Sequence, residues 1–191
     1  HVFPPHEINY RANVWALEQR GARRCVGINT VGAIDAALLP GELAVPDQLI
    51  DYTYGRAATF GGAGAPVRHI EFTEPFSPPL RAELVKASGE CGFAVRAGVY
   101  GATQGPRLET AAEIERLARD GCAMVGMTAM PEAALARELG LQYAVCAVAV
   151  NYAAGRSPEG IDRQIERFMA AGLAKARAVL ERLVAGTSVA V

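Results

Sequence analysis

The chain has 191 residues, of which 51% are hydrophobic and 20% are charged, and its formal net charge is −1 at pH 7. This length allows one well-buried domain, and the composition is that of an ordinary soluble globular protein. The near-neutral charge excludes a broad basic surface for nucleic acid or an anionic membrane, and no apolar run is long enough to span a bilayer.

The cysteines give a second compositional constraint. Cys25, Cys91, Cys122 and Cys146 lack the spacing of a metal site, and three of them lie in apolar runs. We therefore expect reduced core residues of a cytoplasmic protein. Nothing in the sequence requires a metal ion or an organic cofactor.

The first predicted element is a helix over residues 9–20. Asn9 is its expected cap, and Val14, Trp15 and Leu17 are predicted to face inward. The segments that follow predict short strands at residues 25–29, 43–45 and 67–72, turns at residues 29–32 and 40–41, and a mobile loop at residues 54–66.

The second half of the chain alternates helices and strands more regularly. Thr110 and Glu113 have the spacing of a capping box for a helix over residues 111–119. The remaining predictions are helices over residues 80–88 and 131–140, strands over residues 93–100, 122–127 and 143–150, and a long C-terminal helix that Ser157 caps and Pro158 begins.

This alternation predicts an α/β fold, in a single domain over residues 1–191, with a mixed, mostly parallel central sheet flanked by helices. In such sheets ligands bind beyond the carboxyl ends of the parallel strands. Thr128 and Asn151 each follow a buried strand, so we expect both side chains on the same rim of the sheet.

Three polar turns follow buried strands, at residues 29–30, at residues 104–110, and at Thr128 with Asn151. They offer hydroxyls, amides and backbone N–H groups, and they lack a Ser-His-Asp set, a metal cluster or a Walker glycine loop. No histidine follows His69, which excludes an imidazole as proton carrier on the later turns. This chemistry suits an anion together with a polar heterocycle.

Several motifs occur together: Pro40-Gly41 with Asp47-Gln48, GPRLET at residues 105–110, GMTAMPE at residues 126–132 and NYAAG at residues 151–155. In combination they resemble the trimeric purine nucleoside phosphorylase and methylthioadenosine phosphorylase family. The segment NYRANVW at residues 9–15 is similar to the methylthioadenosine branch in particular. The resemblance covers nearly the whole chain.

The resemblance implies phosphorolysis of a purine nucleoside, with inorganic phosphate as co-substrate and a free purine and a ribose 1-phosphate as products. It implies that Asn29, Thr30 and Thr128 contact phosphate and that Met127 packs on the ribose. It also implies a homotrimer whose sites are completed by a neighbouring subunit. Its partners would be small molecules, a nucleoside and phosphate, and neither nucleic acid nor membrane.

Leu108, Glu109, Asn151 and Ala153 match the purine-lining positions of the family, and Asn151 and Thr128 are the catalytic candidates. Methylthioadenosine phosphorylases carry Asp at the position of Asn151 and at that of Ala153. A carboxamide NH2 donates to a 6-oxo group and its carbonyl accepts from a protonated N7, whereas a 6-amino group would set donor against donor. Such a mismatch costs about 1–3 kcal/mol. We therefore expect a 6-oxopurine, with Glu109 accepting from its N1–H.

The pocket for the 5′ group is expected to be apolar. The 6-oxopurine branch usually has a histidine before the last helix, whereas this chain presents Ile161 and Ile165 there. An apolar pocket favours a methylthio group over a hydroxyl that would lose its water. His69 resembles a histidine that the methylthio branch presents across a subunit boundary, and Phe76 is a second candidate for that crossing segment. The expected substrate is S-methyl-5′-thioinosine, cleaved to hypoxanthine and 5-methylthioribose 1-phosphate.

Other activities stay open on this reasoning. The nearest are a general 6-oxopurine nucleoside phosphorylase and a methylthioadenosine phosphorylase, followed by a nucleosidase and a non-catalytic purine-binding module. Taken singly, several residues also fit structural roles: Thr128 as a helix cap, and Arg107 as a partner of a nearby acidic group that never meets phosphate. Family members also have an N-terminal strand, a phosphate loop and an Arg-His pair before the position of His1, which this sequence lacks.

Overall fold

The computed structural model describes residues 2–62, 64 and 67–187. This part of the chain contains five helices and seven strands. In chain order they are α1 (Tyr10–Gln19), β1 (Arg24–Ala33), β2 (Leu43–Ala44), β3 (Gln48–Asp51), α2 (Pro78–Glu90), β4 (Val95–Arg96), β5 (Val99–Ala102), α3 (Ala111–Arg119), β6 (Cys122–Gly126), α4 (Ala129–Glu138), β7 (Gln142–Tyr152) and α5 (Ile161–Thr187). None of these helices is long and apolar enough to cross a membrane.

The strands form one mixed sheet in the order β3-β5-β6-β1-β7-β2-β4. Four of the six described pairings are parallel, and the two antiparallel ones join β6 to β1 and β2 to β7. Helices pack against both faces of the sheet. The predicted α/β class with a mixed, mostly parallel sheet is therefore confirmed.

The sheet is strongly curved. β4 lies at one end of the strand order and β5 lies next to the other end, yet only residues 97 and 98 separate them in the chain. Two residues span at most about 10 Å between their neighbours, so the ends of the sheet must approach each other. This curvature explains why the single strand predicted at residues 93–100 is instead two, which break at Gly98 with its φ of +138°.

The longest pairing joins β1 to β7, which run parallel over the whole of β1. The prediction of a turn at residues 29–32 is therefore wrong, because the backbone groups of this stretch continue the ladder to β7. The other edge of β1 pairs with β6 at Gly32 and Ala33. Along residues 24–31 that edge has no strand partner within the described part of the chain.

The centre of the core lies on β7, because both of its faces are covered. Its residues 143–151 are all buried. Alternate side chains of a strand point to opposite faces; accordingly Val145 and Ala147 pack with α1 and α4, and Cys146 and Val148 pack with α2 and α5. A third, smaller cluster joins α3 to β6.

The predicted caps of α1 and α3 are confirmed. Thr110 and Glu113 form the complete capping box of α3, and the Asn9 side chain accepts from the Ala12 backbone N–H at the start of α1. In α4 the backbone at Met130 is extended (φ −112°, ψ 134°), so regular helix begins at Pro131 as expected.

Other element predictions fail. Trp15 is 52% exposed and Leu17 is 42% exposed, because α1 turns Tyr10 and Val14 to the core instead. Residues 67–72 form no strand, and α5 begins at Ile161 rather than at Pro158. The loop predicted at residues 54–66 has neither helix nor strand where it is described, and Ala63, Ala65 and Pro66 lie outside the described residues.

Candidate active site

Thr128 and Asn151 do not share a strand-end rim. β6 runs antiparallel to β1 and β7 runs parallel to it, so β6 and β7 end in opposite directions and the predicted common rim is wrong. Gly32 of β1 pairs with Val125 on one side and with Asn151 on the other, which places these two partners about 10 Å apart.

The hydroxyl of Tyr100 lies between Asn29 and the turn that carries Thr128. Tyr100 is fully buried on β5, and Asn29 Nδ2 donates to its oxygen over 3.3 Å. Burial raises the pKa of Tyr100, and hydrogen bonding from Asn29, Thr128 and Ala129 acts in the opposite direction. Tyr100 was not predicted as a site residue, because an aromatic residue in a strand is most simply a core residue.

Thr30 lies on the face of β1 opposite to Asn29. Consecutive side chains of a strand point to opposite faces, and here Asn29 is buried whereas Thr30 is exposed. The two side chains therefore cannot both face Thr128. A contact between Thr30 and phosphate on the Asn29 side stays a prediction that would have to use the Thr30 backbone.

The turn after β5 carries Glu109 toward β6. Thr103 Oγ1 donates to Glu109 Oε1 over 2.6 Å, and the Thr103 backbone N–H donates to the Gly126 carbonyl over 2.8 Å. A carboxylate has capacity for several donors, so Glu109 Oε2 can accept from a ligand. Leu108, in contrast, is 46% exposed on this turn.

Arg107 on the same turn is held by an acidic side chain. Its two terminal nitrogens donate to both carboxylate oxygens of Glu113 over 2.8 and 2.7 Å. This bidentate pair, together with the cap at Thr110, lowers the pKa of Glu113 to about 2. The nearby acidic partner expected for Arg107 in the structural interpretation is therefore Glu113.

A cavity of about 400 Å³ opens beside this turn, within the usual size range of small-molecule sites. Its lining includes Tyr54, Thr103, Gln104 and Glu109. The lining does not include Thr128 or Asn151, so this cavity covers one side of the candidate site rather than the whole of it.

Asn151 is buried at the end of β7 against the backbone of β1. It is 7% exposed, and its Nδ2 donates to the Tyr152 carbonyl over 2.8 Å. A Cβ at Gly32 would lie 3.2 Å from this Nδ2 and 3.4 Å from the Ala153 Cα, so a glycine there allows the close approach. Ala153 is buried too, and its N–H donates to the Ala33 carbonyl over 2.8 Å.

Gln164 fixes the backbone next to Asn151. It is 1% exposed; its Oε1 accepts from the Tyr152 N–H over 2.9 Å and its Nε2 donates to the Glu159 carbonyl over 2.8 Å. These bonds anchor the first turn of α5 to the end of β7. Sequence reasoning missed Gln164, because a glutamine near a helix start usually faces solvent.

Arg56 joins the turns that carry Met127. Its guanidinium donates to the carbonyls of Met127, Met130 and Gln104 over 2.7, 2.6 and 2.7 Å. Met127 also packs against the turn after β5, where a Cβ at Gly105 would lie 2.4 Å from its sulfur. A lone arginine in a loop rich in Gly, Ala and Thr gave no sequence signal.

A buried carboxyl group, that of Glu132, bonds the tyrosine next to Asn29. The Tyr143 hydroxyl donates to Glu132 Oε2 over 2.7 Å, and burial raises the pKa of Glu132 while this bond lowers it. A Cβ at Gly27 would lie 2.5 Å from the Tyr143 hydroxyl and 3.0 Å from Asn29 Oδ1. Gly27 thus leaves room for the tyrosine beside Asn29.

The residues predicted near the 5′ group are spread along the chain. His69 is exposed, and Ile161 begins α5 as a half-buried residue. Ile165 packs against the cluster between α2, α5 and β7. Phe76 is fully buried in its own chain, with its ring centroid 6.2 Å from that of Tyr143, so the prediction that it crosses to a neighbour is wrong.

Within residues 2–62, 64 and 67–187 there is no group of three His, Cys, Asp or Glu side chains that could hold a metal ion. All four cysteines are free thiols: Cys122 and Cys146 are buried, and Cys25 and Cys91 are half-buried.

A family model for the phosphorylase superfamily matches residues 1–185. A probable S-methyl-5′-thioinosine phosphorylase from Xanthomonas campestris is 57% identical over 157 residues, which cover 81% of this chain and 63% of that protein. A probable enzyme of the same name from Pseudomonas syringae is 51% identical over 191 residues, covering 98% of this chain and 77% of that protein. The 6-oxopurine nucleoside phosphorylase of Pyrococcus furiosus is 45% identical over 82% of this chain and 62% of its own length.

Solved structures show the same fold. The methylthioadenosine phosphorylase from Schistosoma mansoni in complex with adenine has a TM-score of 0.92 and 31% sequence identity, covering 99% of this chain and 74% of that one. The chain thus spans between 62% and 77% of the length of the relatives described here.

Proposed function

The chain belongs to the phosphorylase superfamily, and on that premise we propose that it is a pentosyltransferase that cleaves S-methyl-5′-thioinosine with inorganic phosphate. The products are hypoxanthine and 5-methylthioribose 1-phosphate. No metal or organic cofactor enters this reaction. The proposal combines residues that bind the purine base, a site for the phosphate anion and a pocket for the 5′ group.

Asn151 carries the proposal, because it is a buried, uncharged amide. One Nδ2 hydrogen bonds the Tyr152 carbonyl, which leaves the second hydrogen and the Oδ1 oxygen for a ligand. A 6-oxopurine matches them with its carbonyl and, in the departing base, with a protonated N7. A 6-amino group would meet the NH2 donor to donor, and flipping the amide would turn NH2 toward N7 and remove the acceptor there.

Glu109 supports the same choice of base. Thr103 occupies its Oε1, so Oε2 remains to accept the N1–H that a 6-oxopurine carries and adenine lacks. Leu108 and Ala153 would line the base without hydrogen bonding through their side chains. The role of Asn151 is to stabilise the charge that collects on the purine as its bond to the sugar breaks.

Asn29 and Thr128 form the proposed anion site, with Thr30 contributing backbone. Thr128 lies on the turn that leads into α4, and its side chain makes no capping bond within the described residues, so its hydroxyl can donate to an anion. A phosphate oxygen held there would bond the anomeric carbon while the bond from that carbon to the purine nitrogen breaks. The base leaves with the bonding electrons and takes up a proton to become hypoxanthine.

The sugar side is proposed from Met127, Ile161, Ile165 and His69. Arg56 and Gly105 fix Met127 between two turns, as packing against a ribose requires. Ile165 shares its side chain with the core, so Ile161 is the stronger candidate for contact with a methylthio group. The two relatives named as probable S-methyl-5′-thioinosine phosphorylases support this choice.

A general 6-oxopurine nucleoside phosphorylase is the second candidate. The Pyrococcus furiosus relative favours it, and the argument from Asn151 fits it equally well. The two candidates differ only in whether the 5′ position carries a methylthio group or a hydroxyl.

The test is a panel of four nucleosides, with hydroxyl or methylthio at 5′ and oxo or amino at C6, assayed on full-length protein with and without phosphate. We expect methylthioinosine to be cleaved best, and the 6-amino compounds to have kcat/KM values about ten- to a hundredfold lower. Inosine cleaved at least as efficiently would favour the second candidate. Cleavage independent of phosphate would indicate a nucleosidase, and purine binding without sugar phosphate would indicate a binding module.

We also propose a cytoplasmic homotrimer in which His69 reaches the site of a neighbouring subunit. The support is its exposed position in a segment without regular structure. Light scattering on the purified protein tests the assembly, and a monomer that is fully active would contradict it.

A further inference from the structure

We infer that Tyr100 is a positioning residue of the anion site: its buried hydroxyl orients the side chains of Asn29 and Thr128 toward phosphate. The inference rests on the proposed function and adds to it a residue that does not itself touch the ligand. It starts from a buried polar atom, the Tyr100 hydroxyl oxygen, which accepts a hydrogen bond from Asn29 of the proposed anion site.

Tyr100 is fixed in place by its packing. The side chain is fully buried in the main hydrophobic cluster. A Cβ at Gly126 would lie 2.0 Å from the Tyr100 hydroxyl oxygen and 2.7 Å from its Cζ, so the hydroxyl occupies the space that any larger residue at 126 would need. Gly126 is two residues before Thr128, which ties the tyrosine to that turn.

The bonds around the hydroxyl leave each partner with one hydrogen for a ligand. Asn29 Nδ2 donates one hydrogen to the Tyr100 oxygen, and its second hydrogen is available to a ligand. Hydrogen bonding with the Thr128 side chain also acts to lower the pKa of Tyr100 against burial. A phenol accepts two bonds and donates one. In the arrangement that we propose, the Tyr100 hydroxyl donates to Thr128 Oγ1, so the Thr128 hydroxyl hydrogen points away from the tyrosine and toward the anion.

The start of α4 shows that Thr128 is free for this task. Thr128 is the N-cap residue, yet its side chain makes no capping bond within the described residues (φ −124°, ψ −10°). Hydrogen bonding from the Ala129 backbone N–H, next in the chain, also acts to lower the pKa of Tyr100 against burial. The Tyr100 hydroxyl is therefore a partner for this turn, which the Thr128 side chain does not cap.

The test is Tyr100→Phe, which keeps the ring and removes only the oxygen. We expect the KM for phosphate to rise about five- to tenfold, while kcat and the KM for the nucleoside stay within about twofold of the wild type. Protection of the protein against thermal unfolding by phosphate should weaken in parallel. A purely structural role would lower the melting temperature without separating these constants.

The matched control is Tyr143→Phe. Tyr143 is a buried tyrosine of the same cluster, but its hydroxyl donates to Glu132. We expect it to lower stability without a selective effect on phosphate. Should Tyr143→Phe raise the phosphate KM as much as Tyr100→Phe does, or should Tyr100→Phe leave it unchanged, the inference is wrong.

A second variant covers the case in which Tyr100→Phe does not fold. Gly126→Ala places a methyl group against the Tyr100 hydroxyl and should displace it, with the same selective rise in phosphate KM. An unchanged phosphate KM in a folded Gly126→Ala protein overturns the inference. Absence of phosphate-dependent cleavage in the wild type would instead overturn the proposed function, so the two failures are distinguishable.

Discussion

At the scale of single residues, the candidate site is decided by buried polar atoms and what each has left to bond. Asn151, Asn29 and Glu109 each spend part of their hydrogen-bonding capacity on the protein. Their remaining donors and acceptors are available to a ligand, and burying these groups without a partner costs free energy. Arg56 shows the opposite case, because its guanidinium donates to backbone carbonyls. We therefore expect it to hold the turns of the site in place rather than to bind an anion.

Asn151→Asp is the sharpest change at this scale. A carboxylic acid can donate to N7 and accept from a 6-amino group, so we expect the ratio of kcat/KM for 6-amino over 6-oxo nucleosides to rise at least about tenfold. The measurement is the four-nucleoside panel. Asn13→Asp, an exposed position on α1, is the control and should leave the ratio unchanged. An unaltered ratio in Asn151→Asp would mean that residue 151 does not read the base edge.

At the scale of elements, local capping motifs set some helix starts, and contacts with the sheet set others. The capping box of α3 is complete, with the Thr110 oxygen accepting from the Glu113 N–H over 3.1 Å and the Glu113 carboxylate accepting from the Thr110 N–H over 2.7 Å. Such a motif sets a helix start without help from the rest of the fold. The Ser157-Pro158 signal for the last helix was wrong: α5 begins at Ile161, where Gln164 bonds to the end of β7.

Thr110→Ala should lower the free energy of unfolding by about 1 kcal/mol, because it removes the side-chain acceptor of the box. Ser77→Ala is the matched control, since Ser77 caps α2 without a side-chain cap bond and should cost less than about half as much. Urea unfolding of both variants is the measurement. Equal losses would show that the capping bonds of α3 contribute nothing.

At the scale of the whole molecule, the curved sheet brings together residues far apart in the chain. β1 lies between β6 and β7 and connects the Thr128 side of the site to the Asn151 side through Gly32. The turn after β5 approaches β6 from its other edge. The candidate site therefore depends on the order of the central strands more than on any single loop.

Hydrogen exchange should show this organisation directly. β7 is buried on both faces and bonded on both edges, so its central amides should exchange only through global unfolding. Amides in the last turns of α5, where Val184 is 63% exposed, should exchange much faster. Comparable rates in the two segments would contradict the packing described here.

The sequence by itself determined the α/β class, the capped starts of α1 and α3 and the buried run of β7, because these depend on periodicity and on contacts between near neighbours. It also singled out Asn29, Thr128, Glu109 and Asn151, whose proposed roles came from motif resemblance. The sequence did not determine strand direction. The opposite directions of β6 and β7, and the continuation of β1 through residues 29–32, follow from pairing between distant segments. The exposure of Trp15 likewise depends on how α1 packs on the rest of the fold. The roles of Tyr100, Arg56 and Gln164 could not be predicted for the same reason, because their hydrogen bonds join segments that are far apart in the sequence.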